Sequence, residues 1–376
     1  MTPHEVLENF SLIIEDEKIL DIIDAKKIDY KDYDEILDGE NNYLAPGFID
    51  IHNHGNSGYD IMDSSEIALD SIGKYHISNG VTSYLGTIIT SSYENMLNSA
   101  KNISEYENKK DLAEILGIHL EGPFFNPIKK GAQPEKYIAK ADLNFLKKLI
   151  EISNSKLKMV SIAPEIKDAI EVIKYLKKED IPIAMAHSYA NYEQTKMAIE
   201  NGARIATHLF NGMREFDHRE PGIIGASLTD DRVYTEIIYD RFHLHDASVK
   251  IAILCKGFDK IILVSDAMRA AGLKDGKYEI GGQIVFVKNN EPRLESGNIA
   301  GSTLNLRQAV YNVVKFLQIP IHQAVKMASL NPAKAINISK DYGSIEIGKK
   351  ADFIIIDQDI NIKSVYKNGR LILKND

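Results

Sequence analysis

Residues 47–55 read GFIDIHNHG, and this stretch decides the fold. It joins a short apolar run to two histidines, His52 and His54, spaced two residues apart. In an extended chain, residues two apart point to the same face, so both imidazoles leave one strand together. Barrel enzymes carry their chemistry at the carboxyl ends of parallel strands. The stretch therefore predicts the first strand of a (β/α)8 barrel that ends in a reactive site.

The same pattern continues to about residue 268. Short runs rich in Val and Ile alternate with segments of helical spacing, which indicates parallel strands buried on both faces. The predicted strands are residues 47–51, 81–87, 115–120, 159–163, 183–186, 204–207, 235–238 and 260–264. Eight such units are the number that closes a barrel, so the fold class is α/β, a TIM-like barrel.

The two ends of the chain differ from this middle. Residues 12–23 and 348–373 carry strand-like runs, and the Lys-Asn-Gly at 367–369 predicts a tight hairpin. We predict a small β-sandwich domain formed from residues 1–45 and 345–376, and a metal-dependent catalytic barrel over residues 46–344. The irregular stretch 277–301 predicts an excursion from the last barrel loop.

Composition narrows the class of partner. The 376 residues carry a formal net charge of −9, and the basic residues are scattered, which argues against a nucleic-acid partner. Lys129 and Lys130 form the densest basic pair, and we expect them on a solvated face. The single cysteine, Cys255, lies in an apolar run and is predicted to be a buried, inert thiol. With neither a leader pattern nor an apolar run of membrane length, the chain is expected to be cytoplasmic and without a membrane partner.

Acidic and histidine side chains end several other predicted strands. Glu121 ends the third strand, His187 the fifth, His208 the sixth and Asp266 the eighth. Imidazole and carboxylate ligands suit Zn²⁺, Fe²⁺ and related ions, so the rim predicts a catalytic metal site. His119 lies two residues before Glu121, and we expect it to support the ligands and not to bind metal.

Several segments resemble the amidohydrolase superfamily and, within it, the N-acetylglucosamine-6-phosphate deacetylase family. They cover nearly the whole chain and read LAPGFIDIHNHG, LEGPFFNPIKKGAQP, AHSYA, THLFNGM, REPGIIG, LVSDAMRAAG, IAGSTLNL and GSIEIGKKADFIIID. The resemblance implies hydrolysis of N-acetyl-D-glucosamine 6-phosphate to D-glucosamine 6-phosphate and acetate, in amino-sugar catabolism or recycling.

The resemblance also implies a role for each rim residue. Glu121, His187 and His208 would bind the principal divalent metal, while His52 and His54 would complete a second site, giving one or two Zn or Fe ions per subunit. Asp266 would be the general base and acid. The implied substrate contacts are Ala132, Gln133, Asn211, Gly212, Arg219, His243, Ile299, Ala300 and Gly301. Arg219 would contact the phosphate of the substrate. The resemblance also implies a homodimer, in which this arginine would reach the site of the neighbouring subunit.

Two positions depart from the family pattern. Gln133 stands where many members have a histidine that contacts the substrate carbonyl, and Arg241 stands where a glycine is usual. The first departure leaves the contact to the substrate carbonyl open, and neither removes a metal ligand.

Two alternative functions remain open. The chain could be another superfamily member, a deaminase or a cyclic-amide hydrolase, but such hydrolases bridge two metals with a modified lysine ending strand four. Here that strand reads KMVSIAPE and ends without a lysine. The second alternative, a catalytically silent scaffold, is disfavoured because such relatives would be expected to lose ligands.

Overall fold

The computed structural model describes residues 1–375, and its elements follow the predicted alternation. The strands are β1 (Phe10–Glu15), β2 (Lys18–Asp24), β3 (Tyr43–Pro46), β4 (Phe48–Asp50), β5 (Gly55–Asn56), β6 (Tyr59–Asp60), β7 (Val81–Ile89), β8 (Glu114–Glu121), β9 (Leu157–Ile162), β10 (Ile183–Met185), β11 (Ile205–Ala206), β12 (Tyr234–Ile237), β13 (Ile261–Leu263), β14 (Gly276–Ile280), β15 (Gln283–Lys288), β16 (Glu291–Leu294), β17 (Phe353–Ile356), β18 (Ile362–Lys367) and β19 (Arg370–Lys374). The α-helices are α1 (Glu66–Ser78), α2 (Tyr93–Glu105), α3 (Leu143–Ile152), α4 (Ala169–Lys178), α5 (Tyr192–Asn201), α6 (Gly222–Thr229), α7 (Asp246–Lys256), α8 (Leu306–Leu317), α9 (Ile321–Met327) and α10 (Leu330–Ala335).

A parallel sheet forms the centre of the molecule. Within residues 1–375 it contains eight strands in the order β4-β7-β8-β9-β10-β11-β12-β13, and a helix follows each strand. Beyond the strand ends, the first and last strands meet: the Asp266 N–H donates to the His52 carbonyl at 2.9 Å, and Asn53 bridges to Ala267. The (β/α)8 barrel predicted from the sequence is confirmed.

Burial on both faces explains why the barrel strands could be recognised in the sequence. All nine residues of β7, VTSYLGTII, are buried, as are all three residues of β13. Apolar side chains there contact the barrel interior on one face and the helix layer on the other, as parallel strands require. Burying a polar side chain costs free energy, so the polar residues at the ends of these apolar strands are candidates for a functional role.

The terminal segments form two further sheets. β1 and β2 pair as an antiparallel hairpin, and β3 pairs with β17 at the edge of a sheet ordered β3-β17-β18-β19. Ile19 of the hairpin packs against Phe353 and Tyr366 of that sheet. Asn368 and Gly369, in the predicted tight hairpin, both have positive φ, 49° and 74°, as a type I′ turn requires. The β-rich ends are confirmed, whereas the domain boundaries at residues 45 and 345 stay predictions.

The predicted excursion from the last barrel loop is also present. β14, β15 and β16 form an antiparallel sheet whose buried side, including Ile280 and Val285, packs against Met268 and Ala300. Because Met268 follows Asp266 by two residues, this small sheet is anchored at the rim of the barrel that carries the strand-end polar residues.

The prediction for Cys255 is wrong, since this residue is exposed. Ile251 and Leu254 on the same helix are also exposed, whereas Val249 and Ala252 are buried against the barrel. The helical period turns residues 251, 254 and 255 outward together, so an apolar run did not imply burial.

No α-helix in the described part of the chain is both long enough and apolar enough to cross a membrane.

Candidate active site

Glu121, His187 and His208 converge at the carboxyl ends of β8, β10 and β11. Oε1 of Glu121 lies 3.3 Å from Nε2 of His187 and 3.3 Å from Nε2 of His208. The other ring nitrogens, Nδ1, donate to the carbonyls of Lys129 at 2.9 Å and Asn211 at 3.0 Å. In a neutral imidazole this leaves a lone pair on Nε2, so three electron-pair donors face one another. A divalent cation satisfies such a set, and the ligand types fit zinc or iron.

His52, His54 and Asp266 form a second triad beside the first. Oδ1 of Asp266 lies 3.5 Å from Nε2 of His52 and 3.3 Å from Nε2 of His54. Oε2 of Glu121 lies 3.2 Å from Nε2 of His54, so Glu121 faces both triads. Within residues 1–375, Nε2 of His52 makes no hydrogen bond although it is buried. The ligand atoms of each triad lie within 4.8 Å of one another, which suits a metal ion in either place.

Three of these six residues have backbone conformations that are uncommon for non-glycine residues. φ is 45° at His187, 32° at His208 and 47° at Asp266. Each lies two or three residues beyond the end of a barrel strand, at the rim that carries the triads. Such conformations cost free energy and cluster at functional sites, where the surrounding structure holds them.

The charges around the triads favour an ionised Asp266. Burial alone would raise the pKa of Asp266, but the His52 and His54 imidazoles outweigh burial and hold this pKa below its ordinary value. For His119, burial and the neighbouring His52 lower the pKa well below the usual range, so its ring is neutral. His119 contacts Thr87 Oγ1 at 3.2 Å and Ser161 Oγ at 2.8 Å, and packs edge-on against His52.

A cavity of about 360 Å³ opens over the triads. Seven of the nine predicted substrate contacts line it: Ala132, Gln133, Asn211, Gly212, His243, Ile299 and Gly301. The other two lie elsewhere: Ala300 is buried in the cluster below β14–β16, and Arg219 is exposed on the loop before α6. The structure thus brings the cavity-lining residues together with the triads and leaves Arg219 outside the cavity of its own chain.

Gln133 contacts a triad residue directly. Its Nε2 donates to Oε2 of Glu121 at 2.8 Å, and its Oε1 accepts from the Thr90 N–H at 3.1 Å. The amide is 3% exposed, and its two hydrogen bonds define which end is oxygen and which is nitrogen. Gln133 therefore holds the carboxylate of Glu121 in place.

His243 also lines the cavity. Its Nδ1 lies 2.7 Å from Oδ2 of Asp240. Burial would lower the pKa of His243, but the hydrogen bond and charge of Asp240 raise it above its usual value. The neighbouring Arg241 has φ of 69°, a conformation that favours glycine, and its guanidinium lies 3.8 Å above the Phe316 ring. This geometry explains why a glycine is usual at that position.

Two residues of the site were misjudged or missed from the sequence. The prediction that Lys129 is solvated is wrong: its side chain is 15% exposed, lines the cavity and pairs with Glu215. The turn formed by residues 126–131 brings the Lys129 carbonyl to His187, where it accepts a hydrogen bond from Nδ1. Glu236 was missed, although an acid inside the apolar strand YTEI is itself a signal.

Comparison with known proteins agrees with this geometry. The sequence profile of the amidohydrolase family matches residues 43–372. The N-acetylglucosamine-6-phosphate deacetylase of Bacillus subtilis is 38% identical over 367 residues, 96% of this chain and 92% of that protein. The crystal structure of the Pasteurella multocida N-acetylglucosamine-6-phosphate deacetylase has a TM-score of 0.92 at 30% identity, covering 100% of this chain and 97% of the other.

A third relative was solved with a ligand. An alanine variant of the Mycobacterium smegmatis N-acetyl-D-glucosamine-6-phosphate deacetylase, in complex with N-acetyl-D-glucosamine-6-phosphate, superimposes with a TM-score of 0.92 at 28% identity. The alignment covers 100% of this chain and 97% of that one. The chain belongs to the amidohydrolase family and, within it, is a relative of the N-acetylglucosamine-6-phosphate deacetylases.

Proposed function

We propose that this protein hydrolyses N-acetyl-D-glucosamine 6-phosphate to D-glucosamine 6-phosphate and acetate. One observation carries the proposal: two triads of metal-ligand type lie side by side at a cavity, with Glu121 of the first facing His54 of the second and Asp266 lining the cavity. The relatives named above bear the same activity in their names and align with this chain over most of its length.

Glu121, His187 and His208 would hold the principal divalent ion, and His52, His54 and Asp266 a second one. Zinc and iron both fit these ligands, and one or two ions per chain are consistent with the two triads. When bound, the metal supplies Lewis acidity, which polarises an amide carbonyl and acidifies water at neutral pH.

Asp266 carries the proton in the reaction. Its carboxylate accepts a proton from the water that attacks the acetamide carbonyl carbon, forming the new C–O bond. It then donates that proton to the amide nitrogen as the C–N bond breaks, so acetate and the free amine leave. An ionised Asp266 is in the protonation state that the first step needs.

The phosphate end of the substrate would meet cationic groups. His243 lies in the cavity and its pKa is raised by Asp240, so it can offer a positive charge to the phosphate. Arg219 is exposed outside the cavity of its own chain, which supports the proposal that it reaches the site of a neighbouring subunit in a homodimer. The charged sugar phosphate supports a cytoplasmic location.

The proposal is tested by assaying acetate release from purified protein with N-acetyl-D-glucosamine 6-phosphate, its C4 epimer and the unphosphorylated sugar. The expected result is release from the glucosamine phosphate at a kcat/KM well above those of the other two. Equal turnover of the unphosphorylated sugar would contradict phosphate recognition, and preference for the C4 epimer would reassign the substrate.

A further inference from the structure

Glu236 is buried inside the barrel and belongs to neither triad. It lies on β12 with no exposed surface and does not line the cavity. We propose that Glu236 is a positioning residue that selects the tautomer and fixes the orientation of His52, and thereby builds the second metal site. The inference rests on the metal sites of the proposed function.

The contacts of Glu236 join the two triads. Its Oε2 accepts from Nδ1 of His52 at 3.1 Å and from the backbone N–H of His208 at 3.2 Å. One oxygen thus contacts the side chain of a ligand in the second triad and the backbone of a ligand in the first. The other oxygen, Oε1, has no hydrogen-bond partner among residues 1–375.

The hydrogen bond decides which nitrogen of His52 is free. A metal-bound imidazole is neutral and carries one N–H, so donation from Nδ1 leaves the lone pair on Nε2 for the metal. That Nε2 lies 3.5 Å from Oε1 of Glu121 and 3.5 Å from Oδ1 of Asp266, and makes no hydrogen bond in the described chain. A carboxylate that accepts a hydrogen bond from one ring nitrogen of a histidine also makes the other nitrogen a stronger metal ligand.

The ring of His52 is held from a second direction as well. The His119 ring packs edge-on against it, with centroids 4.8 Å apart, and His119 is itself fixed by Thr87 and Ser161. Burying a carboxylate with one bare oxygen is costly, and an apolar side chain would fill the same space. The burial of the Glu236 carboxylate is explained if this group orients the His52 ring.

The test is a zinc titration of metal-free protein against a chromophoric competitor, comparing unmodified protein with Glu236→Gln. The amide oxygen can still accept from both the His208 N–H and Nδ1 of His52, so the first ion should bind as in the unmodified protein, and His52 loses only the carboxylate charge that strengthens it as a ligand. The second should bind about 10- to 100-fold more weakly. Asp352→Asn removes another mostly buried carboxylate, one that accepts from Asn368 instead, and should leave both affinities unchanged.

A double variant separates positioning from a general structural role. His52→Ala should weaken binding of the second ion more than Glu236→Gln does, since His54 and Asp266 alone remain to hold it, and adding Glu236→Gln should then cause no further loss in metal affinity. An additional loss of similar size, unchanged affinities in Glu236→Gln, or a single zinc ion bound by the unmodified protein would each overturn the inference.

If Glu236→Gln does not fold, nitrogen NMR of the zinc-loaded unmodified protein carries the test. A proton on Nδ1 of His52 supports the proposal, and a proton on Nε2 contradicts it. Neither readout depends on turnover. A protein that binds two zinc ions but releases no acetate would refute the proposed function and leave this inference standing.

Discussion

Gln133 Nε2 donates a 2.8 Å hydrogen bond to Oε2 of Glu121, the carboxylate that faces both triads. The family resemblance places at this position a residue that contacts the substrate carbonyl. In this protein the amide is already engaged at both ends, on Glu121 and on Thr90. We therefore infer that Gln133 holds Glu121, a ligand of the proposed metal, in place.

Gln133→Leu should weaken metal binding at the Glu121 triad by about 10- to 100-fold, because the carboxylate loses the donor that orients it. Competition titration with zinc measures the change. Gln323→Leu, on α9, is the matched control and should bind zinc normally. A fall in kcat with unchanged zinc affinity would instead place Gln133 on the substrate.

Asp266→Asn should retain the ion at Glu121, His187 and His208 and lower kcat by about 10²- to 10⁴-fold, since an amide cannot accept and return the proton. Acetate release and elemental analysis of the same sample give both quantities. Turnover near that of the unmodified protein would remove Asp266 from the proton-transfer role.

Arg219→Ala should raise KM for the 6-phosphate while leaving turnover of the unphosphorylated sugar unchanged. If Arg219 acts on the neighbouring subunit, co-expression of Arg219→Ala with Asp266→Asn should restore activity. In the mixed dimer, one site combines an intact Asp266 with an intact Arg219 from the other chain. No recovery in a purified mixed dimer would place Arg219 in its own subunit or outside the site.

His76 should make the protein acid-sensitive. Burial lowers the pKa of this residue to about 3. In the unfolded chain this imidazole binds a proton near the usual pKa of about 6.5. The contribution of neutral His76 to the free energy of unfolding is therefore fully present above pH 6.5 and is lost as the pH falls towards 3. Between pH 7 and pH 5 the loss is about 2 kcal/mol. Urea midpoints should show a smaller loss for His76→Leu, and an equal loss in both proteins would contradict the assignment.

The barrel and its strand-end ligands could be predicted because both depend on local pattern. Strands such as β7 and β13 are buried on both faces and read as apolar runs, so the residue that ends each run stands out. Contacts that depend on how distant loops fold could not be predicted. The burial of Lys129 depends on Glu215, 86 residues away, and the role of Glu236 depends on His52, 184 residues away.

The proposed reaction requires metal held by the two triads. The most direct measurement strips the protein with a chelator and follows acetate release from N-acetyl-D-glucosamine 6-phosphate as zinc or iron is added back. We predict that the stripped protein is inactive and that activity returns in proportion to bound metal, reaching its plateau at no more than two ions per chain. Full activity in protein shown by elemental analysis to be free of metal would rule out a metal-dependent reaction at this site.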